Sequence, residues 1–305
     1  MQTRPVNLFD LMELRSYDRD LIALDSTRAI TFGSALSPIS LLYRLNHKML
    51  SYTAICIDGK RPVMGQVTQN LGDSFARLTF LSPRANLGGG ELHLLDHLAS
   101  RTGEWGALQL VAEVEEHDEV YQSLRRTGFS MYAWQKIWKL AQARENQAQW
   151  RFASSADMHA IQDLYNFIVP NLFQPVESFP GEARGLVCFM NNELQGYASL
   201  THGPFGIWVQ PLIHPDSKCI MGYLESLPGF ITNLFRQPIY LCLRSYQAWL
   251  ESMLEEAGAK VIQHQAVMVK HLSVMQREEI KLTVHDKAFA KPAAPVTRSS
   301  TRKAF

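Results

Sequence analysis

The chain has 305 residues, 46% hydrophobic and 19% charged, with a formal net charge of +1 at pH 7. That length suits two domains, and the near-neutral balance gives no general attraction for nucleic acid or an anionic membrane. No apolar run reaches the roughly 20 residues of a membrane span. The N-terminus MQTRPVNLFD lacks a secretion-signal core, and Cys56, Cys188, Cys219 and Cys242 are scattered without a C-x-x-C, so a cytoplasmic protein with neither disulfides nor a metal is expected.

Residues 3–7 can form a first strand, and residues 8–24 a helix with Leu8, Leu11, Leu14 and Leu21 near one face. A second helix is expected within residues 34–48, starting at Ser37-Pro38, with Leu41, Leu42 and Leu45 inward. Residues 52–57 and 61–69 read as a hairpin about Asp58-Gly59. A strand follows at 75–81 and is stopped by Pro83, which cannot donate to a sheet ladder. After Gly88, Gly89 and Gly90, the residues Leu92, Leu94, Leu95 and Leu98 recur at helical spacing. Residues 107–114 form an apolar strand, 118–126 a short helix closed by Gly128, and 129–139 a strand rich in aromatics.

Residues 141–149 are polar and read as a linker, after which the pattern restarts. A strand at 150–153 precedes a helix at 156–169 with Ile161, Leu164, Tyr165 and Ile168 on one side. After a proline-rich stretch at 171–181 come strands at 186–190 and 194–200 about Asn191-Asn192, and a strand at 205–213 ended by His214-Pro215. A helix at 221–235, a strand at 238–243, a helix at 248–257 capped by Gly258 and a last strand at 260–274 complete it. The hairpins ICIDGKRPVMGQV and LVCFMNNELQGYASL, and the helix ends YQSLRRTGF and LESMLEEAGA, mark an internal repeat. The expected class is α/β, with two tandem domains at 1–140 and 150–276, each a mixed central sheet flanked by helices, joined by the linker 141–149. Residues 277–305, with Pro292, Pro295, Ser299, Ser300 and several Lys and Arg, are expected to be a disordered basic tail.

The stretch FARLTFLSPRANLGGGELHLLDHL, residues 75–98, is thus a strand, a glycine-rich turn and a helix. Free N–H groups at a helix start, with the positive end of its dipole, attract anions, and glycines let a phosphate approach the backbone. Three glycines before a helix also suit a plain loop and cap.

The order of elements and this stretch resemble the GNAT superfamily of acyl-CoA-dependent N-acyltransferases, in tandem form. In that family a pattern close to V-x-P-x-x-(R/Q)-G-x-G-x-(G/A) ends the fourth strand, and its loop holds the CoA pyrophosphate. Pantetheine lies between the splayed fourth and fifth strands. Anchored on Pro83, the match runs through Leu81, Ser82, Arg84, Asn86, Leu87, Gly88, Gly89 and Gly90, the residues the resemblance assigns to the cofactor. In this register Gly89 takes the first glycine position, Asn86 replaces the basic residue and Glu91 the last small one. A one-residue slip places Gly88 and Gly90 on both glycine positions. Glu91 suits a helix start but repels a pyrophosphate, which Arg84 can offset. The second copy, IHPDSKCIMGY, keeps Lys218 on the basic position and only Gly222, and side chains at Ile220 and Met221 crowd a phosphate.

The resemblance implies direct attack of an amine on the thioester, with a group to deprotonate the amine and one to protonate the thiolate. The tyrosine that usually serves the thiolate corresponds to Leu124, and to Leu254 in the second copy, and His117 stands for an upstream asparagine. Tyr121, one turn before Leu124, is the substitute candidate, with a half-buried structural tyrosine as the plain alternative. Glu113, Glu115 and Glu116 are the candidate bases, Glu113 and Glu115 sharing a strand face, and a solvated acidic strand end is their alternative. The implied function is transfer of an acetyl group from acetyl-CoA to a small-molecule or peptide amine. A catalytically inactive binding or scaffolding protein of the same fold is the alternative, and aminoacyl transfer from tRNA, which needs a basic groove, a third. Neither a nucleic-acid nor a membrane partner is expected, and the sequence leaves the oligomeric state open.

Overall fold

The computed structural model describes residues 2–7, 10, 20–37, 49–58, 61–141, 150–177, 179, 185–231 and 237–272. The expected helix within 34–48, the linker and the basic tail therefore fall wholly or largely outside the described residues. Strand β1 (Gln2–Pro5) is followed by a two-residue strand, β2 (Ile22–Ala23), and helix α1 (Ser26–Phe32). This corrects the expected helix over 8–24 at its C-terminal end. Asp25 is extended and its carboxylate accepts the Arg28 N–H, so a helix begins at Ser26 and the residues before it stay extended.

Strands β3 (Met49–Asp58) and β4 (Arg61–Asn70) form the hairpin, paired from Met49 with Asn70 to Asp58 with Arg61. Then come β5 (Phe75–Ser82), α2 (Glu91–Glu104), β6 (Gln109–Val114), α3 (Glu119–Arg126) and β7 (Ser130–Lys139). Leu94, Leu95 and Leu98 of α2 are fully buried against the sheet, as their spacing dictates. The second half supplies β8 (Trp150–Phe152), α4 (Met158–Ile168), β9 (Gly185–Met190), β10 (Glu193–His202) and β11 (Ile207–Ile213). It ends with α5 (Ile220–Phe230), β12 (Ile239–Arg244), α6 (Glu251–Glu256) and β13 (Lys260–His271). Asn191 and Asn192 both take positive φ, 50° and 67°, the conformation a two-residue hairpin turn requires.

The strands run in one sheet, in the order β1-β3-β4-β5-β6-β13-β7-β12-β11-β10-β9-β8, with β2 added to β5. The last strands of the two halves are exchanged. β13 of the second half pairs antiparallel with β6, and β7 of the first half pairs antiparallel with β12. β13 and β7 pair with each other at the centre. Residues 1–274 form one compact unit. One apolar core lies under α2 and α3, and another under α5 and α6. No helix among the described residues is long and apolar enough to cross a membrane.

Candidate functional site

The loop after β5 is shaped by its own hydrogen bonds. Residues Arg84–Asn86 make one 3-10 turn, in which Asn86 N–H donates to Pro83 O and Leu87 N–H to Arg84 O. The Asn86 side chain donates to Pro62 O at 2.8 Å, and Leu87 packs on the core beneath α2. Gly88 has φ +91°, a conformation that disfavours any side chain. Gly90 caps α2, and a Cβ there would stand 2.9 Å from Cys56 Sγ. At Gly89 an added Cβ would stand 3.6 Å from Asn86 O and 3.9 Å from Asp58 Oδ2, in ordinary contact with both. Among the described residues nothing accepts from the N–H of Gly88 or Gly89, and both lie at the positive end of α2.

The surroundings are acidic. Arg84 pairs with Asp118 at 2.9 Å, so its charge is already met, and Asp20 accepts the Ala85 N–H. Glu91 is buried: one of its oxygens accepts from the Ser123 hydroxyl, and the other has no hydrogen-bond partner among the described residues. Leu81 and Ser82 are buried in β5. In the second half Ile220 turns into the core, so the crowding expected there falls to Met221 alone.

Strands β5 and β6 pair in parallel only at Phe75–Gln109, Ala76–Leu110 and Arg77–Val111, then diverge. The gap is filled by residues 22–24. Ile22 pairs with Leu81 and Ala23 with Phe80, Leu24 N–H donates to Thr79 O at 2.9 Å, and Glu113 N–H donates to Leu24 O at 2.9 Å. The second half has the same divergence after Val209–Leu241. There a buried side chain stands in the gap: Gln247 donates to Pro211 O at 2.9 Å and accepts the Ile213 N–H at 3.3 Å.

Glu113 is 1% exposed. Its Oε2 accepts the Ser26 N–H at 2.9 Å, and its Oε1 lies 3.6 Å from both Arg77 and Arg244. Burial favours the neutral acid, but Arg244, Arg77 and the Ser26 hydrogen bonds outweigh it and hold its pKa below the ordinary value. Nearby Asp25 is shifted the other way, raised by burial and by the Glu113 charge against the pull of Arg77 and Arg28. Arg244 also pairs with buried Glu177 at 2.6 Å and donates to Gln135. Glu113 and Glu115 do not share a face: β6 ends at Val114, and Glu115, Glu116 and His117 are exposed beyond it. Tyr121 is half-buried against the first core, and Leu124 is fully buried.

Beside the filled gap is a cavity of about 240 Å³ lined by Ala23, Asp25, Arg28, Ser34, Gln66 and Thr79, among others. Sequence reading missed Asp25, Ser26, Glu177, Arg244 and Gln247. One signal was present: LQLVAEV and IYLCLR each carry a single charge at or near the end of an otherwise largely apolar strand.

No family model matches the chain, and no curated protein sequence does. Solved structures do. A GCN5-related N-acetyltransferase from Sphaerobacter thermophilus is 10% identical, with 88% of this chain and 95% of that one covered and a TM-score of 0.57. A tandem GNAT protein from the clavulanic acid biosynthesis pathway is 11% identical over 76% and 86%, with a TM-score of 0.47. A GNAT-family acetyltransferase from Colwellia psychrerythraea is 13% identical over 89% and 100%, also with a TM-score of 0.47. The chain therefore has the GNAT fold, built as a mixed sheet flanked by helices.

Proposed function

We propose that the chain is an acyl-CoA-dependent N-acetyltransferase whose acyl-CoA site lies in the first half. The observation that carries this reading is the loop at the start of α2, where the amides of Gly88 and Gly89, unused among the described residues, lie at the positive end of a 14-residue helix. Residues 88–90 would hold the pyrophosphate, since the Leu87 N–H is already donated to Arg84 O, and acetyl-CoA supplies the activated acyl group when bound. The cavity of mixed polar and apolar lining beside Asp25 and Arg28 is where we place a small-molecule or peptide amine. The second half, with Gln247 across its gap, is read as having no acyl-CoA site of its own. Glu113, sealed and ion-paired, serves to position the segment around it rather than to take a proton. This leaves exposed Glu115 and half-buried Tyr121 as the candidates for proton transfer.

A second reading, a binding protein of GNAT fold without catalysis, is favoured by Leu124 at the usual tyrosine position and by the filled gaps in both halves. Calorimetric titration of the whole chain with acetyl-CoA separates the two from a chain that does not bind at all. Thioester cleavage over a panel of amines then separates the enzyme from the binding protein. Binding without cleavage supports the second reading, and no binding removes both as acyl-CoA proteins.

A further inference from the structure

The loop at 88–90 offers two unused amides to an anion, while the gap beside it, as folded, is occupied by residues 22–24. We propose that residues 22–24 are a displaceable strap that shuts the slot of the first half and is held shut by the second half. This rests on the acyl-CoA reading above and adds the regulation of that site.

The strap uses the backbone groups an extended ligand would need. Thr79 O accepts from Leu24, Leu81 and Phe80 are paired with Ile22 and Ala23, and the β6 N–H at Glu113 donates to Leu24 O. A ligand arm lying between β5 and β6 and this segment exclude one another. The segment is also a short piece of sheet. Two residues are ladder-paired, Ala23 is exposed, and its apolar anchors are Ile22 and Leu24. Few contacts have to part for a local opening.

The second half adds restraints on the residues just past this segment. Just past the strap, the Ser26 N–H donates to Glu113, and the Ser26 hydroxyl donates to Gln265 of β13 at 2.7 Å. At the far end of α1, Phe205 N–H donates to Thr31 O at 3.0 Å from the turn joining β10 and β11. Glu113 is itself paired with Arg244 of β12. A half whose own gap is closed by Gln247 thus holds three of the contacts that keep the strap and its helix in place. The apparent affinity for acyl-CoA is then the intrinsic affinity scaled by the fraction of molecules with the strap out.

Ser26→Pro tests this. It removes the N–H that Glu113 accepts and the hydroxyl that reaches Gln265, at the first position of α1, where proline is tolerated. Asp25 before it is already extended, at φ −135° and ψ 95°. Amide hydrogen exchange of the full chain reads the strap without any ligand. Leu24 is expected to exchange by local opening, faster than Val111 and Ala112 of β6, and roughly tenfold faster again in the variant. Acetyl-CoA is expected to bind the variant about tenfold more tightly than the parent and to deprotect Leu24 in both. Exchange of Leu24 only with global unfolding, alongside β6, overturns the strap. The parent alone gives that result, so it stands even if the variant does not fold. Acetyl-CoA bound with Leu24 still protected also overturns the strap and leaves the acyl-CoA reading standing. Local opening of Leu24 with no acetyl-CoA binding in either chain supports the strap and overturns the acyl-CoA reading.

Discussion

Arg151 grips Asp157 through two parallel hydrogen bonds of 2.8 and 2.6 Å, while the Ser154 N–H donates to the same carboxylate at 2.8 Å. Arg4 holds Asp10 in the same way, at 2.6 and 2.8 Å, with the Asn7 N–H donating at 2.8 Å. Both clamps tie the first strand of a half to the chain that follows it, with the same spacing of three and six residues. A chelated carboxylate repeated at matching places is a sharper mark of internal duplication than any run of identical residues in the two halves.

Asp157→Asn should destabilise the chain by about 1 kcal/mol at neutral pH, since the pair is charge-assisted but Arg151 is half exposed and screened by solvent. The Arg151 hydrogen bonds, against burial and with help from Ser154, hold this carboxyl far below the usual range, and Asp10 is lowered to about 2 by Arg4. A folded pKa depressed this way gives stability that is present above the unfolded value of about 3.9 and fades as pH falls toward the folded one. Urea unfolding should therefore show the deficit of the variant shrinking between pH 6 and pH 3. A deficit that stays constant would put its origin in packing.

Arg244→Met should cost roughly 3 to 5 kcal/mol, because it leaves Glu177 and Glu113 buried with one cation fewer. Adding Glu177→Gln to that variant should recover part of the loss in denaturant melts. An unchanged midpoint for Arg244→Met would mean that the buried network contributes nothing to the join between the halves.

Gly89→Val should weaken acetyl-CoA binding at least about tenfold without disturbing the fold, since its new Cβ meets Asn86 O at 3.6 Å and Asp58 Oδ2 at 3.9 Å, both ordinary van der Waals contacts. Gly222→Val should leave binding nearly intact. The reverse outcome in calorimetry would assign the site to the second half. Gly90→Ala is a folding control: its Cβ falls 2.9 Å from Cys56 Sγ, and overpacking of this kind costs about 1 to 3 kcal/mol.

Glu91→Gln should tighten acetyl-CoA binding by up to about 1 kcal/mol. It removes a negative charge at the start of the helix expected to hold the pyrophosphate and leaves a side chain able to accept from Ser123. Weaker binding in the variant would mean that the carboxylate contributes to the loop rather than opposing its ligand.

Much of the strand and helix order was legible, because it rests on local signals. Asp58-Gly59, Asn191-Asn192, Gly128 and the Leu94-Leu95-Leu98 spacing each act within a few residues. The strap was not legible. Residues 22–24 carry an apolar Ile-Ala-Leu that continues the preceding helical spacing, and only the Asp25 cap and the open edges of β5 and β6 make them extended. Nor could the role of Glu113 be read from its neighbours in sequence. Its partners Ser26, Arg77 and Arg244 come from three separate parts of the chain, and proximity to Glu115 suggested a shared face that ends with β6.

The exchange of final strands sets a timetable for synthesis. The outer edge of β6 finds its partner only in β13, whose pairing residue Ala266 is made about 150 residues after Val114. At ribosomal rates of about 5 to 20 residues per second that edge waits roughly 8 to 30 s with bare donors and acceptors. The nascent first half therefore depends on something to shield a sticky strand, and a chain cut short near residue 140 would keep that edge for good. Such fragments should collect in inclusion bodies.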